Sequence, residues 1–236
     1  MARPPCRASK VIKGGNLVVD TIFGVYGASG FGRETMPLAR AEALRLGASV
    51  KNVYFVDDNP QTSIINGHPV VGYREFTQIP AERRVVALAI ADSKVRERLA
   101  AQCELDGVGS WSLKANNSVF LDEVDIGKGF IFSPFSMITS NVRIGSYFHA
   151  NIYSYVAHDC IIGDFVTFAP GVKCNGNVIV EDHAYIGTGA VIKQGKPGAP
   201  IVIGRGAVVG MGAVVTKSVG EGEVVVGNPA RILTRD

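Results

Sequence analysis

Residues 138–168 read ITSNVRIGSYFHANIYSYVAHDCIIGDFVTF, and an apolar side chain returns at every sixth position: Ile138, Ile144, Ala150, Val156, Ile162 and Phe168. A helix repeats every ~3.6 residues and a plain strand every ~2, so a sustained six fits neither. Outward from this stretch the same phase holds at Phe120, Ile126 and Phe132 on one side and at Cys174, Val180, Ile186 and Ile192 on the other. Glycine follows the apolar position at Gly127, Gly145, Gly163 and Gly187. Three short strands, each with one inward residue and a tight corner behind it, make a coil of about 18 residues. Ile126, Ile144, Ile162 and Val180 then stack as neighbours. Such coils bury a core only by stacking, so the run must form one solenoid. The phase breaks at Gln194 to Pro200 and resumes with Ile203-Gly204, Val209-Gly210 and Val215. Residues 113–236 are therefore expected to form a parallel β-helix, an all-β solenoid.

Upstream the pattern changes. Ile22 to Tyr26 is a short apolar run, followed at once by Gly27-Ala28-Ser29-Gly30-Phe31-Gly32. Arg33 to Leu46 carries apolar residues at helical spacing (Met36, Leu38, Ala39, Ala43, Leu46). A second strand runs from Asn52 to Val56 and ends in Asp57-Asp58; a third, Val85 to Ile90, leads into a charged helix from Ser93 to Cys103. Strands alternating with helices predict a small parallel sheet, a Rossmann-like α/β domain over residues 21–112. Residues 1–20 show no sustained period and read as an N-terminal extension.

Hydrophobic residues make up 47% of the 236 and charged ones 19%, which excludes a disordered chain. The net charge of +3 is local, because Arg3, Arg7, Lys10 and Lys13 precede the first acid, Asp20. That density suits a solvated tail and is too low for a nucleic-acid arm. No apolar run reaches the ~18 residues of a membrane span, and the start has no signal-peptide pattern. Cys6, Cys103, Cys160 and Cys174 form no Cys-x-x-Cys pair, as expected of a reduced, cytoplasmic protein.

Repeats of the Ile-Gly type in this register resemble the left-handed β-helix hexapeptide acyltransferases. The glycine loop at 27–32, Asp57-Asp58, Ala157-His158-Asp159-Cys160-Ile161-Ile162-Gly163-Asp164 and Gly227-Asn228-Pro229-Ala230-Arg231 narrow the likeness. Together they resemble the bacterial sugar acetyltransferases that N-acetylate nucleotide-linked 4-amino sugars or O-acetylate sialic acid, over about residues 22 to 235. The resemblance implies a left-handed β-helix, acetyl-CoA as co-substrate with no metal, a nucleotide-linked sugar as acceptor, and a homotrimer with sites between neighbouring β-helices.

Acetyl transfer to an amine needs a base as the amine attacks, and imidazole suits that role. Alone, His158 beside Asp159 reads first as a hydrogen-bonded surface pair; the resemblance makes His158 the catalytic base and Asp159 the carboxylate that fixes its tautomer. One coil on from His158 stands Gly176, which reads either as a plain corner glycine or as a bare backbone N–H beside the base for a developing oxyanion. The resemblance assigns Gly176 to acetyl-CoA, together with Thr167, Thr188 and Met211. Cys174 falls on the inward list and Cys160 has no base of its own, so direct transfer is expected without a cysteine intermediate.

The glycine loop stands between a strand and a helix, where backbone N–H groups bind phosphate, although its Gly-x-x-Gly-x-Gly spacing differs from that of dinucleotide enzymes. The resemblance places Ser29, Gly30 and Phe31 against the sugar nucleotide, with Asp57 and Asp58 on its base or ribose and Ala91 at the third strand end. Three positions depart from the pattern: Phe31 for a common histidine, Ala91-Asp92 for a glycine at the third strand, and Thr167 for a second histidine. Lys193 and Lys196, in the insertion from Lys193 to Pro200, are placed to meet CoA phosphates or simply to be solvated.

A zinc hydrolyase on the same solenoid would need histidines in one phase. His149, His158 and His183 occupy three different positions of the coil. A nicotinamide enzyme would leave the long solenoid without a purpose. A non-catalytic scaffold binding a sugar nucleotide remains the alternative from another class, and O-acetylation the alternative chemistry.

Overall fold

The computed structural model describes residues 21–234; the expected extension, residues 1–20 with Cys6, lies outside them. The first part is a six-stranded sheet. Its strands are β1 (Thr21–Tyr26), β2 (Val53–Val56), β3 (Ile64–Ile65), β4 (His68–Val71), β5 (Arg83–Leu88) and β6 (Gly109–Ser110), in the order β3-β4-β2-β1-β5-β6. Helices α1 (Gly30–Arg45), α2 (Tyr73–Gln78) and α3 (Ser93–Leu105) connect and cover them. The strands expected from sequence all form and pair in parallel, with β1 flanked by β2 and β5. The β3–β4 hairpin is an addition, and it is antiparallel. Its turn is Asn66-Gly67, both at positive φ (49° and 79°), the dipeptide that a tight hairpin turn favours. Helix α1 begins at Gly30, three residues before the expected start. Close approach allows it: a Cβ on Gly32 would fall 2.7 Å from the carbonyl carbon of Gly27.

From Leu113 the chain winds into a left-handed parallel β-helix with three faces. The first face contains Leu113–Lys114, Ile131–Phe132, His149–Ala150, Thr167–Phe168, Tyr185–Ile186 and Val208–Val209. The second contains Met137–Ile138, Tyr155–Val156, Lys173–Cys174 and Val191–Ile192; the third contains Val142–Ile144, Ile161–Ile162 and Val178–Val180. The register is the predicted coil, with Ile126 beside Ile144, Ile144 beside Ile162 and Ile162 beside Val180. Past the insertion Val178 pairs with Ile201, so the extra residues leave as a loop and the coil resumes. The six-residue positions from Phe132 to Ile192 are all buried, and Phe132, Phe148 and Phe168 pack edge to face along the axis.

Corners follow the same period. Glu123, Gly129, Phe135, Asn141, Tyr147, Tyr153, Asp159, Phe165, Gly171, Asn177, His183 and Gly189 all have φ between 53° and 71°. Non-glycine residues enter this region at an energetic penalty. Stacking offsets it: Tyr147, Phe165 and His183 lie parallel at 5.1 and 5.4 Å along one corner, and Phe135 and Tyr153 at 5.0 Å along another. Carboxylates cap the corners too. Asp182 accepts the Asp164 N–H at 2.8 Å and pairs with Arg205 at 2.7 Å. Asp182→Ala is expected to lower stability by about 1–2 kcal/mol, read as a melting point several degrees lower. An unchanged melting curve would show that water replaces these contacts in full.

The α/β part rests on the first face. Trp111, Leu113 and Ile131 share one apolar cluster with Phe23, Val25, Met36 and Ala87. The Tyr147–Phe165 corner stack packs in another with Ile22, Leu88 and Cys103. The two parts therefore fold against each other through continuous cores.

Candidate active site

His158 sits on the corner between the second and third faces. The left-handed conformation of Asp159 (φ 57°) turns its carboxylate back onto the ring, and Nδ1 lies 2.7 Å from Oδ2. A carboxylate accepts, so Nδ1 carries the proton and Nε2 is left free as a base. Both side chains are 49% exposed, open to an incoming substrate. The corner is pinned by the Asp159 N–H to Ser140 and by the Asn177 N–H to the His158 carbonyl, at 3.2 and 3.0 Å.

Gly176 lies directly over the imidazole. A Cβ there would stand 2.5 Å from Nε2 and 2.9 Å from Nδ1, so only glycine admits this ring. Asn175 holds the segment, donating to the Ile192 carbonyl at 2.7 Å and accepting the Tyr155 hydroxyl at 2.9 Å. The insertion continues the column, since the Gly195 N–H donates to the Gly176 carbonyl at 2.9 Å. Exposed Lys193 and Lys196 therefore flank the same corner. Cys160 and Cys174 are buried beneath it, both donating to the Asn175 carbonyl, and the neighbouring Cys160 thiol together with burial pushes the Cys174 thiol up. Neither presents a nucleophile to solvent.

The second group of expected residues gathers at the carboxyl ends of β1, β2 and β5. Connections leave β1 toward β2 on one side and reach β5 on the other, and ligands of open α/β sheets bind at such a switch. Ser29 and Gly30 are exposed there, at the N-terminus of α1. Asp57 accepts from the Ala28 and Asn59 N–H groups at 3.2 and 3.0 Å, which shapes the glycine loop. Asp58 accepts the Tyr26 hydroxyl at 2.6 Å, and burial with this contact pushes the Tyr26 phenol upward. Asp92 caps α3 by accepting from Lys94 and Val95, both at 2.9 Å, beside exposed Ala91.

The remaining expected residues fall elsewhere. Thr167 belongs to the first face, is buried, and lies beneath the α/β part with its hydroxyl 3.5 Å from the Ala91 carbonyl. Thr188 and Met211 meet at the corner between the first and second faces, where the Gly212 N–H donates to the Thr188 carbonyl and Met211 is 81% exposed. Phe31, half-buried, packs on His149 of the first face at 5.1 Å. Sequence reasoning missed Arg96 and His149, both fully buried under the loops that shape the second group.

The glycine loop is carried on the first face, and the His158 corner joins the other two. Within one chain the two groups therefore occupy opposite sides of the prism. Among the described residues no set of three or more His, Cys, Asp or Glu side chains is grouped to hold a metal ion. No described helix is long and apolar enough to cross a membrane.

Comparison with known proteins adds four findings. The PglD N-terminal domain family matches residues 23–103. GDP-perosamine N-acetyltransferase of Escherichia coli O157:H7 is 50% identical over 214 residues, covering 91% of this chain and 97% of that protein. Among solved structures, WeeI from Acinetobacter baumannii AYE superposes with a TM-score of 0.88 at 59% identity, covering 90% of this chain and all of that one (100%). The acetyltransferase domain of PglB from Neisseria gonorrhoeae FA1090, solved with acetyl coenzyme A, superposes at 0.80 and 25% identity, covering 91% and 100%.

Proposed function

We propose, because this chain belongs to the family of nucleotide-sugar N-acetyltransferases represented by its 50%-identical relative, that it moves the acetyl group of acetyl-CoA onto the amine of a nucleotide-linked amino sugar, with GDP-perosamine the first acceptor to test. The observation that carries the chemistry is the His158–Asp159 pair under Gly176. Nε2 of His158 takes the proton from the amine as nitrogen attacks the thioester carbonyl. Asp159 keeps the proton on Nδ1 and stabilises the imidazolium that forms. The Gly176 N–H donates to the oxygen as it gains negative charge. When the carbon–sulfur bond breaks, the thiolate leaves and recovers a proton, so the products are an amide and CoA.

In this reading Ser29, Gly30 and Phe31 cradle the nucleotide's phosphates and sugar at the start of α1. Asp57 and Asp58 face donors on its base or ribose, with Ala91 at the far lip. Thr188 and Met211 meet the CoA arm, and Lys193 and Lys196 its phosphates; Thr167 serves the acceptor side through Ala91. The reaction belongs in the cytoplasm, a location supported by the free thiols of Cys103, Cys160 and Cys174.

The separation of the two groups supports an assembly in which each site is shared between copies. In a homotrimer, His158 of one copy faces the glycine loop of its neighbour. Thiol release from acetyl-CoA, followed with GDP-perosamine and with UDP- and dTDP-linked amino sugars, tests the activity. Turnover with hydroxyl acceptors alone would reassign it to O-acetylation, and nucleotide binding without any turnover would leave a scaffold.

Mixing variants tests the shared site. His158→Ala chains keep a sound loop, and Gly30→Trp chains, whose side chain would enter open space in the cradle, keep a sound base. Each alone is expected to be inactive. Randomly mixed trimers place an intact base against an intact neighbouring loop in roughly a quarter of their sites, so about that share of activity returns. If mixing restores nothing, both halves of each site come from one chain.

A further inference from the structure

Arg96 is a fully buried cation whose every partner is neutral. Its Nη1 donates to the carbonyls of Ile90 at 2.6 Å and Ala91 at 3.2 Å. Its Nη2 donates to the Phe165 carbonyl and, at 3.1 Å, to the Thr167 hydroxyl. One group of acceptors ends β5 at the mouth of the acceptor site; the other lies on the β-helix some 70 residues along the chain. Nε has no partner. The strand beside Thr167 presents His149, in register with it, fully buried and with both ring nitrogens also unpartnered. Burial and then the Arg96 charge hold His149 well below its ordinary range, so it is a neutral ring packed on Phe31 of the glycine loop.

Burying a cation whose hydrogen-bond partners are all neutral carries a heavy desolvation penalty, which the Asp92 carboxylate, beyond ion-pair distance, offsets only in part. Adhesion between the two parts does not require it, because the Trp111, Leu113 and Ile131 cluster already joins them. What the polar group adds is direction. Carbonyls accept in a fixed geometry, and a planar guanidinium fixes several at once.

We propose that Arg96, with Thr167 and His149, is a positioning device for the acceptor. It ties the Ile90–Ala91 lip, and through His149 the Phe31 side of the glycine loop, to the β-helix. The amine is thereby held at a set distance from the neighbouring copy's His158. This rests on the nucleotide-sugar reading above and adds residues which act through the loops they hold.

The test compares Arg96→Met, Arg96→Lys and Thr167→Val with the wild-type protein, varying each substrate in turn and titrating GDP, UDP and dTDP by calorimetry. For Arg96→Met, KM for the amino-sugar nucleotide is expected to rise roughly thirtyfold while KM for acetyl-CoA stays within about twofold. Thr167→Val is expected to shift the same constant by about threefold to tenfold. Arg96→Lys restores most of the loss at neutral pH. Lysine ordinarily titrates ~2 units below arginine, and burial lowers both, so this variant loses acceptor affinity at a lower alkaline pH than wild type. Unchanged acceptor KM in Arg96→Met, or equal loss toward both substrates, would overturn the proposal. If Arg96→Met does not fold, a pH-independent acceptor KM in Arg96→Lys does so instead. Should the wild type acetylate no amine yet bind one of these nucleotides, the functional reading fails, and weaker binding of that nucleotide in Arg96→Lys at alkaline pH upholds the device. If none of GDP, UDP and dTDP binds, both fall.

Discussion

His158→Ala is expected to lower kcat for acetyl transfer by about 10²- to 10⁴-fold, with KM for acetyl-CoA changed by no more than a few-fold. The asymmetry follows from where the ring stands. Its Nδ1 is committed to Asp159 at 2.7 Å, and its only free function is the basic Nε2 facing solvent. Removing it takes away proton transfer in the transition state and little of the surface that binds CoA. The fold should be indifferent, because the side chain is half-exposed at a corner, lying against Gly176 and Asp159. Asp159→Asn should lose less, since the base survives but its tautomer is no longer dictated. Thiol release at saturating acetyl-CoA, with melting curves as control, measures both. A His158→Ala protein that keeps near wild-type kcat would mean that the amine arrives already deprotonated or that another base serves.

The solenoid was legible because its signal is one apolar residue per strand, repeated with no dependence on distant contacts. From Phe132 onward every residue on that list lies in the buried core, which also takes in residues off it such as Phe148, Val166 and Val178. Its corners were less legible. Glycines mark Gly129, Gly171 and Gly189, but Tyr147, Phe165 and His183 take the same backbone conformation, held by stacking on residues one coil away. In the α/β part the long elements followed from periodicity, while α2 and the β3–β4 hairpin are too short to show a period. Only Asn66-Gly67 marked the hairpin. At the site, His158, Asp159 and Gly176 come together as the period implies. Arg96 reads as one more charge on a charged helix, because most of its partners are backbone carbonyls, which leave no trace in side-chain chemistry. Thr167, expected beside acetyl-CoA, stands half a coil from His158 of its own chain, as nine residues of a coil of about 18 imply; what the period does not reveal is that the α/β part buries it.

Gly176→Ala is the sharper test of the same site, with an expected loss in kcat of about 10²-fold, or about 2.7 kcal/mol of transition-state stabilisation. The added methyl cannot coexist with the imidazole where it stands, 2.5 Å from Nε2. The ring is the mobile end of a half-exposed side chain, so it yields by swinging outward. Little stability is lost, and the melting point should move by no more than a few degrees. What is lost is the alignment of Nε2 with the thioester held at the neighbouring N–H, and small misplacements of reacting groups are expensive in rate. Alanine keeps that N–H, which separates the steric effect from the oxyanion contact. The double variant His158→Ala/Gly176→Ala should therefore be about as active as His158→Ala alone, because without the ring the methyl has nothing to displace. Fully additive losses would instead show that Gly176 acts on acetyl-CoA independently of His158. A single Gly176→Ala protein with wild-type kcat would show that the ring has a second productive position, and that the close stacking of these two residues is not what aligns the base.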